Sequence, residues 1–449
     1  MADLRHIEAA KENSETLSDI RFIGDETLNH GDISISLAGI EIEDIIENRT
    51  FVYPIDADLE TDMEQPYSEL HSDKLVRPET VDKNSLKDDI SNDINENTTD
   101  QQEAQASPNQ EIRDEKENID WKERELQFRE ICNSYRRNDG SYDCLVPGSG
   151  GKDSAYVSHI LKNKYGMNPL TVTWSPHSYT DIGWKNFISW IESGNDNILI
   201  TPDRSVHKKL TSLAFKNLLH PFQPFIIGQK YVGPRIAKDY GIDLVFYGES
   251  QAEGGSNLDW DQNKMPNDFF KGSLDEMRIG SLNLSELSNK GISENDLNMY
   301  KPLNDLSDNL EVHFMSYYKK WIPQENYYYA VDNCGFKDNS IRSEGTYSTY
   351  VSLDDKIDGF HFYTTFIKYG IGRATYDASS EIRNQHITRE EGISLVKKFD
   401  GEFPMKNYKF FLDYISIDES EFKMLIDKGR SEHLWEKKDG KWLLRNKIS

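Results

Sequence analysis

Apolar residues in the central part of the chain fall into short, near-continuous runs, and the stretches between them carry helical spacing. Residues 142–147, 169–174, 197–201 and 242–247 read as strands. Between the first two, residues 154–165 keep Tyr156, Val157, Ile160 and Leu161 at helical spacing. Further helices are expected near 181–192, 205–218 and 228–240. Buried strands alternating with helices predict an α/β fold, a parallel sheet with helices on both faces. Ligands of such sheets sit beyond the carboxyl ends of the strands. Here those ends are 148–154, 174–176 and 248–250.

The pattern changes on either side. Residues 33–37, 40–43 and 50–53 alternate apolar with polar, which predicts a small β-containing module over 1–78. From 79 to 118 the chain is acidic, rich in Asn, Gln, Ser and Thr, and free of aromatic residues. Such a stretch cannot bury enough apolar surface to offset its ordering entropy, and it reads as a flexible linker. The α/β domain is expected over 119–323, interrupted by a polar insertion at 251–310. Residues 312–318 read as a further strand, and 324–449 as a mainly helical region rich in aromatics.

The most informative local feature follows the first central strand. Residues 149–154 are Ser-Gly-Gly-Lys-Asp-Ser. The paired glycines let the backbone turn tightly and bring several N–H groups against one ligand. The following helix start adds unpaired donors and partial positive charge, which suits phosphate. Lys152 adds a full charge, and Ser149 and Ser154 add hydroxyls. The order excludes a Walker A loop, which needs Gly-x-x-x-x-Gly-Lys-Ser/Thr, and a Gly-x-Gly-x-x-Gly dinucleotide fingerprint. Trp174 and Ser175, at the next strand end, are expected near the adenosine of a bound nucleotide. Glu249, at the end of 242–247, is expected to face the reacting centre.

Composition narrows the partners. The chain has 449 residues and a formal net charge of −26, which argues against a nucleic-acid surface. Its three cysteines, Cys132, Cys144 and Cys334, show neither disulfide nor zinc spacing. No run is long and apolar enough to span a membrane and no signal-peptide pattern opens the chain, so a cytoplasmic protein is expected.

Ser-Gly-Gly-Lys-Asp-Ser resembles the PP-loop of the ATP pyrophosphatases. That resemblance implies cleavage of ATP to AMP and pyrophosphate, with Ser149, Gly150, Gly151, Lys152, Asp153 and Ser154 at the phosphates and Mg²⁺ shared with Asp153. A narrower resemblance rests on Ile119-Asp120-Trp121, Asp139-Gly140-Ser141-Tyr142-Asp143-Cys144 and Tyr247-Gly248-Glu249. It continues through Glu344-Gly345-Thr346-Tyr347, 353–361, 367–375 and 381–391, the last two containing Lys-Tyr-Gly-Ile-Gly-Arg and Glu-Ile-Arg-Asn. Over about 119–415 the chain is similar to the N-acetyl sugar amidotransferases.

The resemblance implies a ligase of surface-glycan biosynthesis, lipopolysaccharide and its O-antigen included. Such an enzyme converts the acetamido group of a nucleotide-linked sugar into an acetamidino group. Lys152, Asp153 and Glu249 would be catalytic, and Lys368, Arg373 and Arg383 would hold the substrate's diphosphate or carboxylate. No cysteine stands in a glutaminase context, so ammonia would come from a separate subunit. In this family that subunit resembles the glutaminase of histidine biosynthesis, with a cyclase-like barrel as channel partner. Family members usually carry a cysteine cluster near the N-terminus and further cysteines after the third helix. Here the N-terminal module has none, and 220–225 reads His-Pro-Phe-Gln-Pro-Phe, so no structural zinc is expected. A tRNA-modifying PP-loop enzyme and a catalytically silent scaffold are the competing readings.

Overall fold

The computed structural model describes residues 20–22, 32–37, 40–45, 118–250, 253, 263–446 and 448. Three N-terminal strands, β1 (Ile20–Phe22), β2 (Asp32–Leu37) and β3 (Ile40–Ile45), form an antiparallel sheet. Two of the three alternating runs expected there fall on β2 and β3. The third, 50–53, and the expected linker up to residue 117 lie outside the described residues.

The main sheet is built as the hydrophobic pattern predicts. Helix α1 (Trp121–Tyr135) precedes β4 (Cys144–Pro147), α2 (Lys152–Asn163), β5 (Pro169–Trp174), α3 (Asp181–Glu192) and β6 (Asp196–Ile200). Two helices, α4 (Arg204–Leu218) and α5 (Gln223–Asp239), then lead back to β7 (Leu244–Tyr247). With β8 (Lys264–Met265) and β9 (Glu311–Phe314), the strand order is β6-β5-β4-β7-β9-β8, and the first five strands run parallel. The chain leaves β4 toward β5 and returns to β7 on the other side of β4. The connection therefore reverses at β4/β7, which opens a crevice at their carboxyl ends.

Side chains alternate across the sheet. Cys144, Val146, Leu244 and Phe246 pack against Phe128 and Cys132 of α1 and Val157, Ile160 and Leu161 of α2. Leu145, Val172 and Val245 face the opposite layer, with Val232, Ile236 and Ala237 of α5. Apolar runs buried on both faces are the reason the strands read so clearly.

Three expectations change. The strand expected over 312–318 splits into β9 (Glu311–Phe314) and a four-residue helix, α7 (Met315–Tyr318). The turn between them binds the segment after β7: Ser316 N donates to Gly248 O at 2.9 Å, and Ser250 N donates to Ser316 Oγ at 2.9 Å. The insertion at 251–310 supplies the short edge strand β8 (Lys264–Met265), antiparallel to β9, and a helix, α6 (Leu284–Asn289). Phe270, Ile279, Leu287, Leu297 and Tyr300 from it enter the same core as Val245 and Val312.

The C-terminal region carries α8 (Pro323–Cys334), α9 (Asp358–Tyr369), α10 (Arg373–Arg383), α11 (Arg389–Phe399), α12 (Tyr408–Ile415) and α13 (Glu419–Lys428). It ends in a hairpin, β10 (Trp435–Lys438) and β11 (Lys441–Leu444), which a purely helical reading overlooks. The Asp439-Gly440 turn between them, with both residues at positive φ, is the signal that could have predicted it. Trp435 is buried and its indole N–H donates to Ile367 O at 2.8 Å, tying the hairpin to α9.

Candidate active site

The loop between β4 and α2 lies at the β4/β7 reversal. Gly150 has φ +84°, and a Cβ there would lie 2.6 Å from Phe187 Cα. Only glycine allows both that dihedral and so close an approach to the backbone of α3. Gly151 is the N-cap of α2 and offers no side-chain cap. The first-turn amides are thus left for an external acceptor, with the helix dipole behind them. Ser154 Oγ donates to Gly151 O at 3.1 Å, and the Ser149 hydroxyl bonds the Asp354 carboxylate. Lys152 Nζ lies 2.5 Å from Asp153 Oδ2. Asp153 Oδ1 accepts from Asn326 Nδ2 of α8 at 3.0 Å.

Opposite the loop stands Glu249, on the segment that Ser316 holds. Glu249 is exposed to solvent, although many protein atoms crowd around it. Burial first, then repulsion by Asp153, pushes its carboxyl well above the usual range, with Lys152 and Arg373 acting in the other direction. Arg373, at the start of α10, donates from Nε to Asp377 Oδ1 at 3.0 Å. Asp377 Oδ2 in turn accepts from Thr346 Oγ1 at 2.5 Å. Burial works against the guanidinium's charge, but Asp377, Asp358 and Glu249 outweigh it. Asp358, the first residue of α9, is itself pushed up to about 7 by burial, with Arg373 opposing. The carboxylates of Glu249 and Asp358 thus act on one guanidinium that is anchored by Asp377.

The C-terminal block that supplies Arg373 and Asp358 also matches a known family model. Residues 344–449 match the one described as LPS biosynthesis protein WbpG-like, C-terminal domain. Among curated proteins no match is found. A solved structure titled as a predicted subunit of tRNA methyltransferase from Methanocaldococcus jannaschii aligns over 51% of this chain and 88% of that one. Identity is 14% and the TM-score 0.22, a likeness too slight to bear on fold or activity.

The WbpG-like region docks on the loop after β5 through an acidic run. Asp355 Oδ2 accepts from His177 N at 2.6 Å and lies 2.7 Å from His177 Nδ1, with both side chains buried. Thr180 N donates to Asp354 O at 3.1 Å, and Lys356 N to Ser178 O at 3.0 Å. These bonds place Asp354 beside Ser149 and Asp358 beside Arg373. Asp354, Asp355, Asp358 and His361 lie in the block that carries the resemblance, which assigns them no role, and Asn326 and Asp377 stand in no local pattern. The carboxylate-rich run 354–358 was the available signal.

Trp174 and Ser175 take other roles than expected. Trp174 is 3% exposed and packs on Tyr300 and His207. A Cβ at Gly228 of α5 would fall 2.2 Å from its ring, so the indole is clamped in the core rather than presented to a nucleotide. Ser175 is 1% exposed and its hydroxyl accepts from Arg204 Nη2 at 2.5 Å. Arg383 donates from Nη2 to Glu253 O at 2.7 Å, which latches α10 to the segment beyond β7.

The three thiols are buried. Burial pushes Cys132 up to about 12 and Cys334 to about 11, and Cys144 well above its ordinary value. None has the lowered pKa of a nucleophilic cysteine. Among the described residues no group of three or more His, Cys, Asp or Glu side chains could hold a metal ion, and no helix is long and apolar enough to cross a membrane.

Proposed function

We propose that this protein is an ATP-dependent amidotransferase of glycan biosynthesis that acts in the cytoplasm on the acetamido group of a nucleotide-linked sugar. The observation that carries this reading is that Lys152 and Asp153 of the loop, Glu249, and the WbpG-like Arg373 and Asp358 act on one another electrostatically. An amide carbonyl is a poor electrophile and needs activation. Its oxygen attacks the α-phosphorus of ATP, the bond to the β-phosphate breaks, and pyrophosphate leaves toward Lys152 and the α2 amides. Ammonia then adds to the imidate carbon and gives up protons as AMP departs with the former carbonyl oxygen. The product is an acetamidino group.

Glu249, with its affinity for protons raised, is placed to accept a proton from the attacking nitrogen. Asp153 is suited to Mg²⁺, which takes one or two protein carboxylates beside substrate phosphates. Bound there, the ion would neutralise phosphate charge. Arg373 and Arg383, like Lys368, are the basic groups for the anionic part of the substrate. With no thiol poised for glutamine hydrolysis, ammonia comes from a partner glutaminase, through a cyclase-like barrel.

Pyrophosphate release from ATP tests the reading. It should require an acetamido-sugar nucleotide together with ammonium, and Glu249→Gln should remove the acid limb of its pH profile. Release with tRNA alone would support the tRNA-modifying alternative. No release under either condition would support a silent scaffold.

A further inference from the structure

Near its C-terminal end α9 carries a lysine that neither the fold nor the activation chemistry employs. Lys368 and His361 are seven residues apart and share one helix face. His220, on the turn between α4 and α5, stacks on His361 with ring centroids 5.4 Å apart, and Phe222 covers the same imidazole at 5.0 Å. Among the described residues, no carboxylate pairs with any of these three basic side chains. The charged or titratable groups that act on them are one another, Arg373 from α10 and His177 beyond β5.

Lys368 and His361 are half-buried, within reach of a solute, while His220 is 7% exposed. His361 Nδ1 is buried without a hydrogen-bond partner. In a chain of net charge −26, three basic groups gathered without an acid are conspicuous. The protonated Lys368 amine has no carboxylate to balance it, which is the arrangement an anion completes. Arg373 acts on both His361 and Glu249, and so links this cluster to the carboxylate opposite the phosphate loop.

We propose that Lys368, His361 and His220 form an anion subsite that holds the phosphate or carboxylate of the sugar substrate while its acetamido group lies at Glu249. This rests on the functional reading above. Burial draws the Lys368 amine down to about 7 and is the largest cause that brings His361 to about 3. An anion beside the amine raises its proton affinity again. Binding above pH 7 therefore takes up a proton, and affinity falls as pH rises.

Calorimetric titration of the full chain without ATP, at pH 8 in two buffers of different ionisation enthalpy, tests this. UDP-N-acetylglucosamine probes the phosphate source and glucuronate the carboxylate source. At least one should bind with net proton uptake. Lys368→Met should weaken that binding by about tenfold or more and abolish the uptake. Lys368→Arg should bind without uptake, and it decides the matter if the methionine variant does not fold. The subsite is overturned if neither probe binds, or if either variant binds with wild-type proton uptake. Because ATP is omitted, such a failure is separate from a failure of pyrophosphate release, which would count against the functional reading instead.

Discussion

Lys152→Met should lower kcat/KM for pyrophosphate release by about 10²–10³-fold, the usual loss when one preorganised charge-stabilising donor is removed. The Lys152 side chain is 11% exposed, and its ammonium lies at the first residue of α2, beside the uncapped amides. Charge on the departing pyrophosphate grows beside that ammonium. A neutral thioether cannot substitute for that charge. A second effect follows at Glu249, where Lys152 opposes the repulsion from Asp153. Without the lysine, Glu249 should take up its proton more readily, moving the acid limb of the pH profile to higher pH. A variant within threefold of wild type, with an unmoved limb, would exclude Lys152 from pyrophosphate stabilisation.

Asp355→Ala should destabilise the protein by about 3–5 kcal/mol, the loss typical of breaking a buried hydrogen-bonded pair. Asp355 Oδ2 is the acceptor for the His177 backbone N–H at 2.6 Å and the partner of Nδ1 at 2.7 Å. His177 also stacks among His207, Phe222 and Phe225, so it cannot swing out to water. Alanine would leave its backbone N–H and ring nitrogen without partners in the interior. Asp355→Asn keeps an acceptor oxygen and should lose less. Denaturant unfolding of both variants checks this. Wild-type stability of Asp355→Ala would show that the WbpG-like region is held on the sheet by other contacts. The same substitution should reduce activity, because Asp354 and Asp358 flank the lost anchor.

The phosphate loop and the strands around it are legible because their determinants are local. Paired glycines before Lys152 and doubly buried runs such as Leu170–Trp174 announce themselves within a few residues. The remaining parts depend on neighbours distant in sequence. His313-Phe314-Met315-Ser316-Tyr317-Tyr318 has strand composition throughout, yet Ser316 turns to bind Gly248 and Ser250, some 66 residues away. The insertion appeared polar because its core residues, Ile279, Leu287 and Leu297 among them, are isolated along the chain. Trp174 at a strand end looked like a nucleotide contact, but Gly228 of α5 brings a helix against it. Asp358, His361 and Asp377 gain their setting only when α9 and α10 come beside Glu249 and the turn carrying His220, and no period in the sequence records that contact.

The central claim is that the substrate's own amide oxygen is adenylated and leaves with AMP. It is tested most directly by supplying an acetamido-sugar nucleotide labelled with ¹⁸O in the acetamido carbonyl, together with ATP, Mg²⁺ and ammonium, and weighing the products by mass spectrometry. The account predicts the label in the phosphate of AMP, unlabelled pyrophosphate, and an amidine without the label. Label retained in the sugar, or found in pyrophosphate or inorganic phosphate, would contradict it.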